Sequence, residues 1–195
     1  MKKYKHYRKI PRTTALLFTF WLVGCSAGNA APDEVFLPLV QSMADRLATA
    51  DQVALSKWDS KGAVYAPQRE GEVIAKVKAL APNYALSSDD AADIFTDQME
   101  ANKQVQYALL NNWRRQGDAP TTPRQSLVDD IRPILDKMQF SILQNLQDVA
   151  ALRNVETCPF QVARIAGKVA YQARLDAPHL AALDRAVARI CVSSQ

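Results

Sequence analysis

Histidine is scarce in this chain: only His6 and His179 occur among its 195 residues, and His6 falls in a stretch with the composition of a leader. The remaining chain therefore has one histidine from which to build a Ser/His/Asp or Cys/His catalytic arrangement. Glycine is sparse as well, with six residues, and no glycine-rich loop that could cradle phosphates is present. These shortages argue against nucleophilic hydrolases and against P-loop nucleotide enzymes.

The first 30 residues have the pattern of a secretory leader. Six Lys/Arg and no acidic residue precede the apolar run ALLFTFWLVG, which is short for a transmembrane span and ends next to Cys25. LVGC has the form of a bacterial lipobox, which predicts lipidation at Cys25 and anchoring to the membrane; signal-peptidase cleavage near Ala30 or Ala31 is the alternative. We predict that residues 1–30 are a signal peptide, that residues 31–195 form the domain, and that the protein is exported to the periplasm.

The basic character of the chain comes from this leader. The whole sequence has 24 basic and 20 acidic residues, and six of the basic ones precede Cys25. The remainder has 24 − 6 = 18 basic and 20 acidic residues, a net charge of −2. A slightly acidic domain gives no support to nucleic-acid binding.

Two cysteines remain once Cys25 is assigned to the leader. An even pair in an exported domain predicts a disulfide between Cys158 and Cys191. By the loop-entropy model, closing that C-terminal loop contributes on the order of 3 to 4 kcal/mol. A metal site is the weaker alternative because His179 is the sole histidine available, so no metal is expected.

Apolar residues at spacings of three and four predict helices nearly throughout the domain. The first stripe predicts one helix of about 25 residues from Phe36 to Trp58. Further helices are expected over 69–80, 89–115 and 126–152 (the last kinked or restarted near Pro133), with a pair of shorter helices between 159 and 192 and a loop at 117–123. No window alternates like a strand. We therefore predict an all-α, single-domain bundle of long helices with a disulfide-clipped C-terminal helical pair.

Three cations lie along the first half of the domain. Arg46 and Lys57 are 11 residues apart, which places them on one face of an unbroken helix, roughly 16 Å apart. Ala50 and Val53 lie between them, so the face is otherwise apolar, and Arg69 follows at the start of the next helix. Because buried cations are costly without an anion, the pattern favours a pocket for a small, multiply negative molecule. Surface charge is the alternative.

A polar pair lies on the long helix predicted over 89–115. Asn102 and Gln106 are spaced i, i+4, so their amides project side by side. Their stretch otherwise faces a core. A pair on a solvated face is the alternative interpretation.

The order and spacing of these residues resemble the AroQ class of chorismate mutases. RLATADQVALSKW, PQREGEV and DQMEANKQVQYALLNNW resemble the exported, or gamma, subclass, which also has a secretory leader and a disulfide-clipped C-terminal region. The resemblance implies an isomerase that converts chorismate to prephenate by a 3,3 pericyclic rearrangement, without cofactor, metal or covalent intermediate. It also implies a homodimer.

The resemblance further implies roles for individual residues. Arg46 and Arg69 would clamp carboxylates, and Lys57 would contact the ether oxygen and a carboxylate. Gln106 would donate to the ether oxygen, with Asn102 one turn earlier as a further substrate contact.

Two more substrate-binding residues are expected from the same source. Glu70 matches a position that accepts a hydrogen bond from the substrate hydroxyl in some members. The family usually supplies another Arg, here expected from the fourth helix. Ungapped alignment puts Val128 at that place; we favour Arg132, one turn later, over Arg124, one turn earlier.

Two other functions remain open for the same fold. A catalytically inactive, exported anion-binding or scaffold protein would keep the helices without the activity. A helical adaptor would instead show a large exposed apolar stripe and no convergent cations.

Overall fold

The computed structural model describes residues 34–192, so the predicted leader and Cys25 lie outside the described residues. Within this range the regular structure is entirely helical, which confirms the all-α prediction. No described helix is long and apolar enough to cross a bilayer. The α-helices are α1 (Leu37–Ala48), α2 (Ala50–Ser60), α3 (Pro67–Leu80), α4 (Ser88–Gln116), α5 (Arg132–Asp148), α6 (Cys158–Ala173) and α7 (Ala177–Val187).

The prediction of one unbroken first helix is wrong, because the chain divides at Thr49 into α1 and α2. The Thr49 hydroxyl donates to the Arg46 carbonyl at 2.8 Å, and the Thr49 backbone N–H approaches the same carbonyl at 3.3 Å. A side chain that bonds the carbonyl three residues back competes with the regular helical bond, and this tightens the turn. Helical bonding resumes at once, since the Val53 N–H donates to the Thr49 carbonyl at 3.1 Å.

Local signals set the ends of α4 as expected. Ser87 is the N-cap and accepts from the Asp90 N–H, and Asp89 and Asp90 lie in the first turn, where carboxylates favour the helix dipole. The helix ends at Gly117, whose φ of 94° suits a residue without a Cβ.

The expected restart near Pro133 takes the form of a π-helical turn. Leu127–Ile131 forms this turn with Ser126 as its N-cap, and α5 begins at Arg132. Proline has no N–H for the carbonyl four residues earlier, so regular α-helical bonding cannot run through this point. The turn packs against α2 and is followed directly by Arg132 at the start of α5.

The centre of the bundle is α4, which packs against α2, α3 and α7, while α1 packs against α5, α6 and α7. The fully buried large side chains of the bundle come from most of these helices. They include Phe36, Met43, Phe95, Ile142, Leu146, Ile165 and Leu183. A smaller apolar cluster fixes α2 on α4, where Trp58 and Trp113 meet edge to face with ring centroids 6.0 Å apart. This smaller cluster holds α2 against α4.

The C-terminal pair is clipped as predicted. Cys158, the first residue of α6, is joined to Cys191, which follows α7, with 5.9 Å between their Cα atoms. The Val192 N–H also donates to the Arg153 carbonyl at 2.9 Å. The chain after α7 is therefore tied back to the segment before α6.

Candidate active site

Five helices enclose a cavity of about 170 Å³ beside α4. The cavity is small and mostly apolar, with a limited number of polar groups, which is the usual make-up of a small-molecule site. Its lining residues are Arg46, Val53, Lys57, Val64, Ala66, Arg69, Glu70, Val73, Met99, Asn102, Lys103, Gln106, Leu127, Arg132, Leu135, Asp136 and Gln139.

The structure brings the whole predicted set together around this cavity. Arg46 comes from α1, Lys57 from α2, Arg69 and Glu70 from α3, Asn102 and Gln106 from α4, and Arg132 from α5. The two cations expected to share one helical face do reach one cavity, although a break at Thr49 separates their helices.

Of the two fourth-helix arginines, Arg132 reaches the cavity and Arg124 does not. The Arg124 guanidinium donates to Asp59 at 2.9 Å and to the carbonyls of Pro120 and Thr122 at 2.8 Å and 2.6 Å. Arg124 therefore ties the loop after α4 to the end of α2.

The lining carries more positive than negative charge. Its cations are Arg46, Lys57, Arg69, Lys103 and Arg132, and its carboxylates are Glu70 and Asp136, so the formal sum is 5 − 2 = +3. An excess of cations in a cavity with apolar walls attracts anions strongly, because the low dielectric screens the field less than water does.

Among these cations, Arg46 is the one whose charge is most strongly disfavoured by burial. Its residue is 6% exposed, and its Nε has no hydrogen-bond partner within residues 34–192. Burial lowers the pKa of Arg46 to about 10, which reflects the penalty of holding its charge away from water. A bound anion would offset that penalty.

Lys57 and Arg132 likewise form no ion pair with any part of the chain that the structure describes. Arg69 is paired, at 3.1 Å to Glu72 and 4.0 Å to Asp136, but these side chains are all substantially exposed. Exposed pairs of this kind contribute little, so they compete weakly with a ligand carboxylate.

Glu70 is held from two sides. Its Oε1 accepts from the Ala66 N–H at 3.1 Å, and its Oε2 accepts from Lys103 Nζ at 2.9 Å. Lys103 also meets Glu100 at 2.8 Å. Burial lowers the pKa of Lys103, but its bonds to Glu100 and Glu70 outweigh that effect, so the pKa is raised overall. The carboxylate of Glu70 is therefore fixed at the cavity wall.

The amide pair is buried rather than solvated. Asn102 and Gln106 are 8% and 4% exposed. Gln106 Nε2 donates to Asn102 Oδ1 at 2.7 Å, and Asn102 Nδ2 donates to Thr49 Oγ1 at 3.4 Å. One hydrogen of Gln106 Nε2 thus goes to Asn102, and a primary amide has a second to offer.

Sequence reasoning missed Gln139. Its residue is 3% exposed, it lines the cavity, and its Nε2 has no partner in the described chain. A buried donor without a partner is uncommon and calls for an explanation such as a ligand. The available signal was its spacing: seven residues after Arg132, it returns to the same face of α5.

Lys103 and Asp136 were also missed. Lys103 sits next to Asn102 in the sequence, but a helical neighbour normally points elsewhere, and its role depends on Glu70 from α3. Asp136 lines the cavity and pairs with Lys76 at 3.2 Å. Both pairings cross between helices, and local spacing does not reveal them.

Residues 33–107 match the model of the type II chorismate mutase family. Among curated proteins, the chain is 36% identical over 95 residues to the secreted chorismate mutase of Mycolicibacterium smegmatis, a match that spans 48% of this chain and only 52% of that protein. It is 25% identical over 153 residues to the secreted chorismate mutase of Mycobacterium tuberculosis, covering 78% and 76% of the two chains.

Solved structures match over longer stretches. The chorismate mutase from Burkholderia phymatum is 65% identical with a TM-score of 0.83, covering 84% of this chain and all of that one (100%). The chorismate mutase from Burkholderia thailandensis is 32% identical with a TM-score of 0.78, covering 81% and 99%. The secreted chorismate mutase from Yersinia pestis shares the fold, with a TM-score of 0.64 at 19% identity over 78% and 94% of the two chains.

Proposed function

The chain belongs to the chorismate mutase family, and from that premise we propose that its cavity converts chorismate to prephenate by a 3,3 pericyclic rearrangement. The observation that carries this proposal is a set of three cations around one small cavity, Arg46, Lys57 and Arg132, that have no carboxylate partner within residues 34–192. Chorismate is a dianion, so it supplies the two carboxylates that these side chains lack. The reaction moves no proton and forms no covalent intermediate, and it therefore calls for no cofactor.

The first task of the site is to hold a flexible substrate in its compact, reactive conformation. Arg46, Arg69 and Arg132 approach the cavity from three different helices, so together they can fix both carboxylates. The planar guanidinium fork suits carboxylates because it makes two parallel hydrogen bonds. Holding the reacting ends together lowers the barrier by removing conformational freedom before the reaction begins.

The second task is to stabilise the charge that develops on the ether oxygen as the C–O bond breaks. Lys57 supplies a full positive charge for that oxygen, and Gln106 supplies the second hydrogen of its amide. Groups already in place before the reaction need no reorganisation during it. They accelerate the rearrangement because they bind the transition state more strongly than the ground state.

Two more side chains complete the proposed contacts. Glu70 is anchored by Ala66 and Lys103, and its carboxylate oxygens retain lone pairs for the substrate hydroxyl. Gln139 provides a further donor, because its buried Nε2 has no partner among the described residues and it lines the same wall as Arg132.

The alternatives are less well supported. A 65% identity to a protein named chorismate mutase supports a catalytic function over an inactive scaffold. A helical adaptor predicts no convergent cations, whereas five cations line one cavity here.

Export belongs to the same proposal. Two curated relatives carry the word secreted in their names, which supports export of this chain as well. We further propose a periplasmic location, lipidation at Cys25 and a homodimer. Mass spectrometry of the mature N-terminus distinguishes a lipidated Cys25 from cleavage near Ala30, and sedimentation gives the number of copies.

The activity is tested by adding purified mature protein to chorismate and following the loss of substrate absorbance. Lys57→Ala is expected to lower kcat/KM, and the loss corresponds to about 3 to 4 kcal/mol of transition-state stabilisation, because the substitution removes a preorganised charge. Lys61→Ala is the matched control: Lys61 lies at the end of the same helix over the Trp58 ring, 4.7 Å from its centroid, and does not line the cavity. Equal kcat/KM values for the two variants would contradict the assignment, and no turnover by the wild type would contradict the proposed function.

A further inference from the structure

Thr49 contacts two residues that line the cavity, Arg46 and Asn102. It lies at the break between α1 and α2, is buried, and does not line the cavity. Its hydroxyl nevertheless meets both the α1 backbone, at the Arg46 carbonyl, and the side chain of Asn102 on α4. A residue in this place reaches the substrate only through others.

Three hydrogen bonds connect the Arg46 carbonyl, Thr49, Asn102 and Gln106, and the direction of the first bond fixes the direction of the other two. The Thr49 hydroxyl has one hydrogen, which goes to the Arg46 carbonyl at 2.8 Å, so toward Asn102 its oxygen can only accept. Asn102 must then present Nδ2 to Thr49 and Oδ1 to Gln106. Gln106 in turn must present Nε2 to Asn102. One backbone carbonyl thus determines which end of each amide faces which way.

We infer that Thr49 is a positioning residue that orients the Gln106 amide through Asn102, an inference that rests on the proposed function. The reaction needs a donor at the ether oxygen, and an amide side chain is a donor at one end and an acceptor at the other. With the relay intact, Gln106 keeps its N–H group in a fixed place. The break in the first helix and the orientation of Gln106 then have one common cause, the Thr49 hydroxyl.

Removing the hydroxyl releases the relay. In Thr49→Val the side chain keeps its shape but cannot accept, so the two ends of the Asn102 amide become nearly equivalent. If Asn102 turns over, it offers Nδ2 to Gln106, which must then turn its oxygen toward it. The donor is in place for only part of the time, and kcat falls while carboxylate binding, and with it KM, changes little.

The test compares the steady-state kinetics of the wild type, Thr49→Val, Thr49→Ser, Asn102→Ala and the Thr49→Val/Asn102→Ala double variant. Thr49→Val is expected to lower kcat about 3- to 10-fold, the range for losing one hydrogen bond, with KM within about twofold. Thr49→Ser retains the hydroxyl and is expected to restore most of kcat. In the Asn102→Ala background the relay is already broken, so adding Thr49→Val is expected to cost less than about twofold. Melting temperatures verify that each variant is folded.

The outcomes separate the inference from the proposed function. An unchanged kcat in Thr49→Val, the same loss in Thr49→Ser, or an undiminished loss in the Asn102→Ala background would overturn the positioning role while the wild type still turns over chorismate. No turnover by the wild type would overturn the proposed function and the inference with it. Loss in Thr49→Val, recovery in Thr49→Ser and non-additivity with Asn102→Ala would together support the relay.

Discussion

The cavity and the seam between α4 and the C-terminal helices both contain arginines, but they differ in how these arginines are paired. Every arginine of the seam meets a carboxylate, whereas Arg46 and Arg132 in the cavity form no ion pair within residues 34–192. The seam consists of Asp90, Asp93 and Asp97 on α4 together with Arg153, Arg185 and Arg189. Arg153 donates to both oxygens of Asp90, at 2.6 Å and 2.8 Å. Arg185 and Arg189 meet Asp97 at 2.7 Å and 3.3 Å.

This difference separates charges that hold the fold from charges that serve a ligand. Burial raises the pKa of Asp97, and the charges of Arg185 and Arg189 oppose that rise without cancelling it. The carboxylate is therefore ion-paired from within the protein, although neither of its oxygens accepts a hydrogen bond from the described residues. In the cavity, Arg46 has no such partner among the described residues, and burial lowers its pKa to about 10. Because an unpaired buried charge is costly, a ligand carboxylate beside Arg46 would offset that cost.

The sharpest way to break this comparison is to truncate one arginine in each region. Arg46→Met is expected to lower kcat/KM about 100- to 1,000-fold, because it removes a carboxylate clamp, with stability unchanged or increased. Arg153→Met is expected to lower the free energy of unfolding by about 3 kcal/mol, because it leaves Asp90 without its partner, with kcat within about twofold. Urea unfolding and steady-state kinetics measure both. A loss of stability in Arg46→Met as large as in Arg153→Met would remove the distinction.

Removing the disulfide tests whether the C-terminal helices contribute to stability without contributing to activity. Replacing Cys158 and Cys191 together by Ala is expected to lower the free energy of unfolding by about 3 to 4 kcal/mol, since the cross-link restrains a loop in the unfolded chain. The cavity is lined by α1 to α5 and the turn before α5, so kcat is expected to stay within about twofold below the melting range. A loss of kcat in the fully folded variant would show that the C-terminal pair also shapes the cavity.

In the C-terminal half, His179 is expected to make the free energy of unfolding depend on pH near neutrality. His179 on α7 meets Asp51 on α2 at 2.9 Å and Asp176 at 2.5 Å. The hydrogen bond to Asp51, despite burial and with help from Asp176, raises the pKa of His179 to about 9. Because the folded pKa is raised, the stabilisation is complete below the unfolded pKa of about 6.5 and is lost as pH rises through about 9.

The expected loss is about 1 to 2 kcal/mol between pH 6.5 and 9, since both aspartates are more than half exposed and solvent screens the pair. Urea unfolding at several pH values measures it. His179→Gln is the matched control and should remove this slope. A slope that persists in His179→Gln would assign the effect to another group.

The smallest expected effect is in the cavity, where pH is predicted to leave the rate nearly flat from about pH 5 to 8. Gln106 is an amide and donates without first being protonated, whereas a Glu has an ordinary pKa of about 4.3 and donates only when neutral. Gln106→Glu is therefore expected to lose kcat as pH rises through the carboxyl pKa. A steep loss of wild-type kcat over the same range would count against Gln106 as the donor to the ether oxygen.

Much of this protein was determined by local sequence. Apolar spacing predicted most of the helices, the loop beginning at Gly117 marked the end of α4, and Pro133 marked the restart before α5. These features depend on neighbours within one or two turns, so sequence contains them directly. The cysteine pairing followed from arithmetic, because Cys158 and Cys191 were the two left once Cys25 was assigned to the leader.

The tertiary structure decided what depends on contacts between helices. It placed Arg132 but not Arg124 at the cavity, placed Gln139 on the cavity wall, and paired Lys103 with Glu70. It also divided the first helix at Thr49, whose buried hydroxyl meets Asn102 53 positions further along the chain. Periodicity within one helix reports which face a residue occupies, whereas the partner on that face is set by how the helices pack across their loops.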